Sequence, residues 1–394
     1  MKHLWQPPKL RVSEEDGEER HATWLELFYD LVFVVVIAQL AHHLKDHPSA
    51  AGFTEFAVVF VPVWWSWVGT TFYATRFDTD DTLHRVLTVI QMSAIAAMAV
   101  NIHKGMDYAS VGFALSYVIV RGILVIQYLV AGQHIAIARP LTNRYAKGFG
   151  LAAAIWALST LVSIPWRFGM WCLGMVIDFA TPIGAGKLHG QIAPHASHLP
   201  ERFGLFTLIV LGESIVAVVG GLAAQKWEFA AIVAGVLGLC IAASVWWVYF
   251  DNLDGSAIRS ARLGQVGTYQ IWLYAHLPLV ASLTAMGVGM QKLLSGNMSA
   301  ALPDENRWLL CLALAICYAA LGFIHLSTDA GSLRRSQTQA LERFSAAILL
   351  SLIAWLGWNL SPLTLMFLLA AICISQVVLA HFGMHHIKPE EIGE

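Results

Sequence analysis

Charged residues are scarce in this sequence. Asp, Glu, Lys and Arg make up 13% of its 394 residues, 57% are hydrophobic, and the mean hydropathy is +0.61. A water-soluble fold of this length cannot hide that much apolar surface, and the repeated apolar runs of about 20 residues read as membrane-spanning helices. The formal net charge of −2 and the lack of a basic stripe argue against nucleic acid or another polyanion as a partner. Five cysteines, Cys172, Cys240, Cys311, Cys317 and Cys373, all lie in apolar runs and form no CxxC, so they read as buried apolar residues and not as disulfides or a thiolate metal site. No P-loop, GxSxG, dinucleotide fingerprint or HExxH occurs. The N-terminal "SEEDGEER" is acidic, unlike a cleavable signal, and reads as a solvated cytoplasmic tail.

What is present is a series of apolar segments. They predict an all-α polytopic membrane protein with helices at about 22–43, 53–75, 85–103, 108–131, 149–166, 168–185, 203–224, 229–250, 268–290, 308–327, 343–360 and 362–383. The pairs around Arg167 and Pro362 each read equally as one broken element. With the N-terminus inside, 17 Lys and Arg fall on the cytoplasmic side and 6 outside, leaving Arg121 within a span. Both termini are then expected in the cytoplasm.

Two landmarks recur at one offset. Glu19-Arg20 and Trp64-Trp65 are repeated 182 residues later as Glu201-Arg202 and Trp246-Trp247. The expected architecture is therefore about twelve transmembrane helices as two six-helix parallel repeats, related by a pseudo-two-fold axis along the membrane normal. The boundaries are a tail at 1–21, a first repeat at 22–186, a histidine-containing linker at 187–202, a second repeat at 203–385 and a tail at 386–394.

Against this apolar background the polar residues are the candidates for function. "WLELFYDLVFVVVIAQL" carries Glu26 and Asp30 four residues apart, on one helix face about 6 Å from each other. Counted from Glu19 and Glu201, Asp30 and Glu213 lie at matching depths, each about 15 Å into its helix. Arg121 and Asp178 fall near the same midplane, and His276 about eight residues into its span. A charge facing lipid costs about 2.5–3.5 kcal/mol, so Arg121, Asp178, Asp30 and Glu213 together cost on the order of 10 kcal/mol unless they point inward. Arg121 should pair with Asp178, Glu213 or Asp30. With one cation against three acids, a carboxyl must hold a proton or meet a transported cation. Glu26 reads separately, as a cytoplasmic-end residue paired with Arg20, Arg76, His84 or Arg85. A break at "DFATPIGAG" would expose carbonyls suited to a cation.

Sixteen histidines, among them His189, His195 and His198 in the linker and His381, His385 and His386 at the end, show no diagnostic zinc spacing. No cofactor is expected. The partners to expect are membrane lipids, a small ion or small-molecule substrate, and a second copy of the chain as a homodimer.

"ERHATWLELFYDLVFVVVIAQLA" and "HLPERFGLFTLIVLGESIVAVVGG" resemble the two most distinctive segments of the bacterial low temperature requirement A family, and the resemblance runs from about residue 18 to 385. It implies a multi-pass inner-membrane protein linked by name to growth in the cold, and no particular reaction. "LELFYDLVFVVVIA" is also similar to the first helix of six-span-repeat potassium channels with an F-S-D motif, with Phe28, Tyr29 and Asp30 in its place. Tyr29 stands where those channels have Ser, and Trp24 where they have Arg.

The leading expectation is an ion- or proton-coupled transporter. One alternative is a membrane-embedded enzyme for lipid or isoprenoid material, using Asp78, Asp80 and Asp81 to hold Mg²⁺. A scaffold whose buried polar network fixes helix register is the other.

Overall fold

A computed structural model describes residues 4–11, 21–79, 81–186, 188–225, 228–298, 300, 302–328 and 333–385. The acidic stretch 13–20, with Glu19 and Arg20, and Asp80, Lys187, Lys226 and His386 lie outside the described residues. The described chain is helical almost throughout. In order it forms a short strand β1 (Lys9–Leu10), α1 (Trp24–Asp46), α2 (Ala50–Arg76), β2 (Phe77–Asp78), α3 (Thr82–His103), α4 (Met106–His134), α5 (Arg139–Ser159), α6 (Trp166–Ile183), α7 (Leu188–Gln191), α8 (His198–Ala223), α9 (Phe229–Phe250), α10 (Ser256–Arg262), α11 (Val266–Leu294), α12 (Asp304–Ser327), α13 (Leu333–Leu356) and α14 (Pro362–His385). β1 pairs antiparallel with β2, Lys9 opposite Asp78 and Leu10 opposite Phe77.

A helix overlaps each of the twelve expected segments, though the fifth, expected at about 149–166, runs Arg139–Ser159. Ten of these helices, α1–α4, α8, α9 and α11–α14, are long and apolar enough to cross a membrane. In lipid the backbone must satisfy its own hydrogen bonds, which makes the helix the form these runs take. α5 and α6 are not among the ten: α5 carries Arg139, Arg144 and Lys147, and α6 has 18 residues that include Arg167 and Asp178. Polar residues set the helix starts. Thr23 and Glu26 form a capping box on α1, Thr23 N–H donating to Glu26 Oε2 at 2.8 Å and Glu26 N–H to Thr23 Oγ1 at 3.3 Å. Asp81 caps α3, accepting from the His84 N–H at 2.6 Å.

The chain divides into two compact units. Unit one comprises Met1–His43, Glu55–Leu205 and Ile258–Gln270; unit two comprises Leu44–Thr54, Phe206–Ala257 and Ile271–Glu394. In unit one α3 packs on α4, α4 on α5 and α5 on α6. Trp65 of α2 meets Phe179 of α6 with ring centroids 4.3 Å apart. Tyr73, Phe77, Tyr128, Tyr145 and Phe149 form an aromatic core there. In unit two α12 packs on α13, α13 on α14 and α14 on α9.

One sequence expectation about burial needs correction. Cys311, Cys317 and Cys373 are buried, but Cys172 is exposed, on the outward face of α6. Trp64 and Trp65 are buried, whereas Trp246 and Trp247 are about half exposed. An apolar outward face is what lipid selects, so hydrophobicity alone does not distinguish inside from outside here.

Close helix approach depends on glycine at α11 against α12. A Cβ on Gly289 would lie 2.9 Å from the Cα of Leu310, a backbone atom that cannot move aside without shifting a helix. Gly289→Ala is expected to destabilise the protein by about 1–3 kcal/mol. Gly267→Ala, where a Cβ meets nothing within 4 Å, is the matched control. Thermal unfolding of the two variants in detergent checks this.

Candidate functional site

The first functional cluster is built by the start of α1, the middle of α2 and the first turn of α8, all in unit one. Asp30 is 1% exposed. Arg202 holds it side-on, Nη2 donating to Oδ1 at 2.7 Å and Nε to Oδ2 at 3.1 Å. Trp67 Nε1 donates to the same Oδ1 at 2.7 Å. The remaining nitrogen, Arg202 Nη1, lies 3.0 Å from Glu26 Oε1. His198 Nε2 is 3.3 Å from that oxygen, and His198 Nδ1 is 3.9 Å from Glu201. Beside Asp30, Tyr29 donates to Thr70 Oγ1 at 3.0 Å.

This arrangement revises the sequence reading at three points. Glu26 and Asp30 are one motif: their four-residue spacing puts both carboxylates on one face, and a single guanidinium bridges them. Glu26 meets Arg202, a partner the sequence reading had not named for it. The cation of Asp30 is also Arg202, which the sequence had assigned to the linker. The reason is where the helices begin. α8 starts at His198, so residues 198–202 form its first turn, not linker, and Arg202 projects into the interior. α1 starts at Trp24, so Asp30 is about 9 Å into its helix, and Glu213 about 22 Å into α8. The two acids are not at matching depths.

A second cluster surrounds Arg121 on α4. Of its three expected partners, the structure selects Asp178 of α6. Arg121 Nε lies 3.4 Å from Asp178 Oδ2 and donates to Tyr117 Oη at 2.9 Å, while the Tyr117 hydroxyl donates to Asp178. The guanidinium sits 4.9 Å from the ring centre of Phe149 and 5.2 Å from that of Tyr117, so aromatic faces add to its compensation. Gly69 of α2 makes room: a Cβ there would come within 2.6 Å of Arg121 Nη1. α6 is unbroken through Asp178 and Pro182. The carbonyls of Thr181 and Pro182 are met by Arg144 Nε at 3.0 Å and His189 Nε2 at 2.8 Å, so they are not left for a cation.

The linker histidines are drawn inside. Arg76, the last residue of α2, is fully buried; its Nε donates to the Ile192 carbonyl at 3.0 Å and its Nη2 lies 3.4 Å from His189 Nδ1. Because His189 Nε2 gives its proton to the Pro182 carbonyl, Nδ1 is the acceptor for Arg76. Burial and the neighbouring guanidinium lower the His189 pKa to about 4. Of the expected magnesium ligands, Asp81 is committed to its cap, where it also accepts from the Gln6 N–H at 2.8 Å; the side chain of Asp78 is not described. Among the described residues no three His, Cys, Asp or Glu side chains converge as a metal shell.

The other two candidates lie in unit two. Glu213 of α8 is half-buried and has no hydrogen bond or ion pair among the described residues. His276 of α11 is fully buried and saturated: Nδ1 donates to the Trp272 carbonyl at 2.7 Å, and Nε2 accepts from Tyr249 Oη at 3.1 Å. A ring held on both nitrogens within an aromatic setting serves packing. Sequence reasoning missed Arg202, Trp67 and Arg343 as buried polar groups. The signal for Arg202 was its position directly ahead of an apolar run, where it could be read as a helix's first turn.

A cavity of about 220 Å³ opens beside the α1 cluster in unit one. Glu26, Arg202, Tyr29, Thr70, His84 and Arg85 are among its lining residues. Glu26 and Arg202 thus face open space on one side, and Arg202 meets the enclosed Asp30 on the other.

The profile of the family described as bacterial low temperature requirement A protein matches residues 21–379. The chain belongs to this family. A protein of Rhizobium meliloti (strain 1021), described as uncharacterized, is 26% identical over 297 residues, 71% of each chain. Family membership and the ten apolar helices make this a membrane protein.

Breaking a buried ion pair from one side strands the other charge and costs about 3–5 kcal/mol. Arg202→Met is expected to cost that much in thermal or denaturant unfolding, and Trp67→Phe, which removes one hydrogen bond to Asp30, about 1.5–3 kcal/mol. A second expectation concerns pH. His189 titrates near 6.5 when unfolded and near 4 when folded, so the unfolded chain takes up the proton first. Its contribution to stability is complete above 6.5 and declines as pH falls toward 4. His189→Gln should flatten the stability difference across that window, read as the wild-type-minus-variant gap in melting temperature at pH 7 and pH 4.5.

Proposed function

We propose that this protein moves protons or small cations across the bacterial inner membrane, with Arg202 as a latch between Glu26 and Asp30. The observation that carries the reading is that one guanidinium joins a carboxylate lining a cavity to a carboxylate sealed from it. A proton or cation arriving at Glu26 competes with Arg202 Nη1 for the same oxygen. Once Glu26 is neutralised, Arg202 loses one of its two anions and its hold on the pair of carboxylates is redistributed. Intramembrane acids of this kind mark proton and ion pathways. Glu213, a half-buried carboxylate without a partner on an apolar helix, is the proposed second exchangeable acid.

Two features support the wider architecture of this reading. The excess of Lys and Arg on one side favours cytoplasmic termini, and in that orientation the cavity would open near the cytoplasmic face. Part of the helix packing is alike in the two units: α4, α5 and α6 pack in order and α6 meets α2, as α12, α13 and α14 pack in order and α14 meets α9, while α3 on α4 extends the run in unit one. That is the order two parallel six-helix repeats would have.

Purified protein reconstituted into liposomes with a pH-sensitive dye inside tests the proposal. Wild-type protein should dissipate an imposed proton, Na⁺ or K⁺ gradient. Asp30→Asn and Glu213→Gln should slow this at least tenfold while eluting as folded protein. Wild-type flux in both variants, or no flux of any of the three ions in the wild type, would sink the idea.

A further inference from the structure

Arg343 in α13 of unit two is fully buried, and its charge is not matched. Its Nη1 donates to Gln376 of α14, to the backbone carbonyl at 3.0 Å and to Oε1 at 2.6 Å. Among the described residues Nε and Nη2 have no hydrogen-bond partner, and no carboxylate lies within ion-pair distance. Glu342, its neighbour in sequence, is within electrostatic reach but directs no oxygen to the guanidinium, and its Oε2 is itself without a hydrogen bond. Tyr318 and His325 of α12 are within the same reach. Gln339, one turn before Arg343 on the same helix, also presents a buried Oε1 without a partner.

A guanidinium cannot relieve this by losing its proton. An ion buried alone is among the most costly arrangements in an apolar interior. Three of the chain's other buried arginines meet a carboxylate, whereas Arg76 meets the Ile192 carbonyl and a neutral imidazole. Arg202 uses its Nε and Nη2 edge to hold both oxygens of Asp30. Arg121 meets Asp178, and Arg307 Nη1 donates to Asp304 at 2.6 Å. At Arg343 the edge that Arg202 uses for a carboxylate is the edge left open, and the residue that the neighbouring helix offers is a neutral amide. That edge carries two parallel N–H donors, whose spacing fits the two oxygens of a carboxylate better than a spherical ion.

We propose that the Nε–Nη2 edge of Arg343 is a binding site for a carboxylate from outside the chain, supplied by a small organic acid or by a fatty acid. Gln376 holds the guanidinium in place by its other nitrogen, so the edge is presented in a fixed direction.

The experiment uses the full-length protein, purified in detergent and stripped of lipid. Its melting temperature is followed during titration with sodium acetate, sodium oleate and, at matched ionic strength, sodium chloride. A saturable rise with acetate, with oleate or with both is expected, and the responding compound identifies a small acid or a lipid as the source. Arg343→Gln should weaken the response at least tenfold. Gln376→Glu sets a carboxylate at Nη1 and offsets the charge from within, so it should melt at or above the unliganded wild type and respond more weakly than the wild type does. The proposal is overturned if neither carboxylate shifts the wild type, if chloride acts as well as they do, or if either variant responds as the wild type does.

Discussion

The bridge from Arg202 to Glu26 and Asp30 is the interaction on which unit one's functional end is organised. It ties the first turn of α8 to α1, and through Trp67 it ties both to α2. The constraint behind it is general. A carboxylate among apolar helices must find a cation and donors for its lone pairs, or the helix that carries it cannot stay where it is. Asp30 obtains three donors from two side chains, which leaves little freedom in how α1, α2 and α8 are set at that level. Arg121, Tyr117 and Asp178 impose the same discipline on α4 and α6, with Gly69 leaving the space the guanidinium needs. In the proposed function these clusters would serve stability and chemistry together, because the groups that fix register would also be those that take up a proton.

The helices were legible in the sequence because a spanning run must be apolar along its length, and that signal survives without any knowledge of neighbours. Their ends were less so. α8 and α13 both begin earlier than their apolar cores, α8 at His198 and α13 at Leu333, since polar and basic first turns carry no hydropathy signal. This put Arg202 in the linker and Arg343 at the very start of its expected helix, where neither was read as buried. The inward orientation of Asp30, Asp178 and Arg121 followed from cost alone. Which cation met which acid did not follow, because pairing depends on how helices rotate against one another, and apolar residues face lipid and interior alike. His276 shows the converse: a buried polar residue stood out in the sequence, yet a backbone carbonyl one turn away and a tyrosine hydroxyl satisfy it completely.

Buried arginines distinguish a closed site from an open one in this protein. A guanidinium has five N–H groups and a charge that persists at any physiological pH. Where Asp30 or Asp178 supplies the anion, the site is electrically complete, and a ligand can enter only by displacing a protein group. At Arg202 that displacement is feasible on one side, since Glu26 borders a cavity and Asp30 does not. At Arg343 no carboxylate of the described residues occupies the Nε–Nη2 edge.

The asymmetry at Arg202 gives its two acids different roles. Glu26 shares its carboxylate among Arg202, His198 and the capping box of α1, so a proton or cation reaching it from the cavity perturbs three interactions that are each individually modest. Asp30 has no such access, and its oxygens are held by donors that all point at the charged form. Any exchange at Asp30 must therefore follow a movement of Arg202, and any movement of Arg202 begins with loss of its weaker partner. The order in which the two carboxylates respond is set by geometry: the one at the cavity first, the one behind the guanidinium second. Under the proposed function, a helix face carrying two acids four residues apart would become a sequence of two events separated by one arginine.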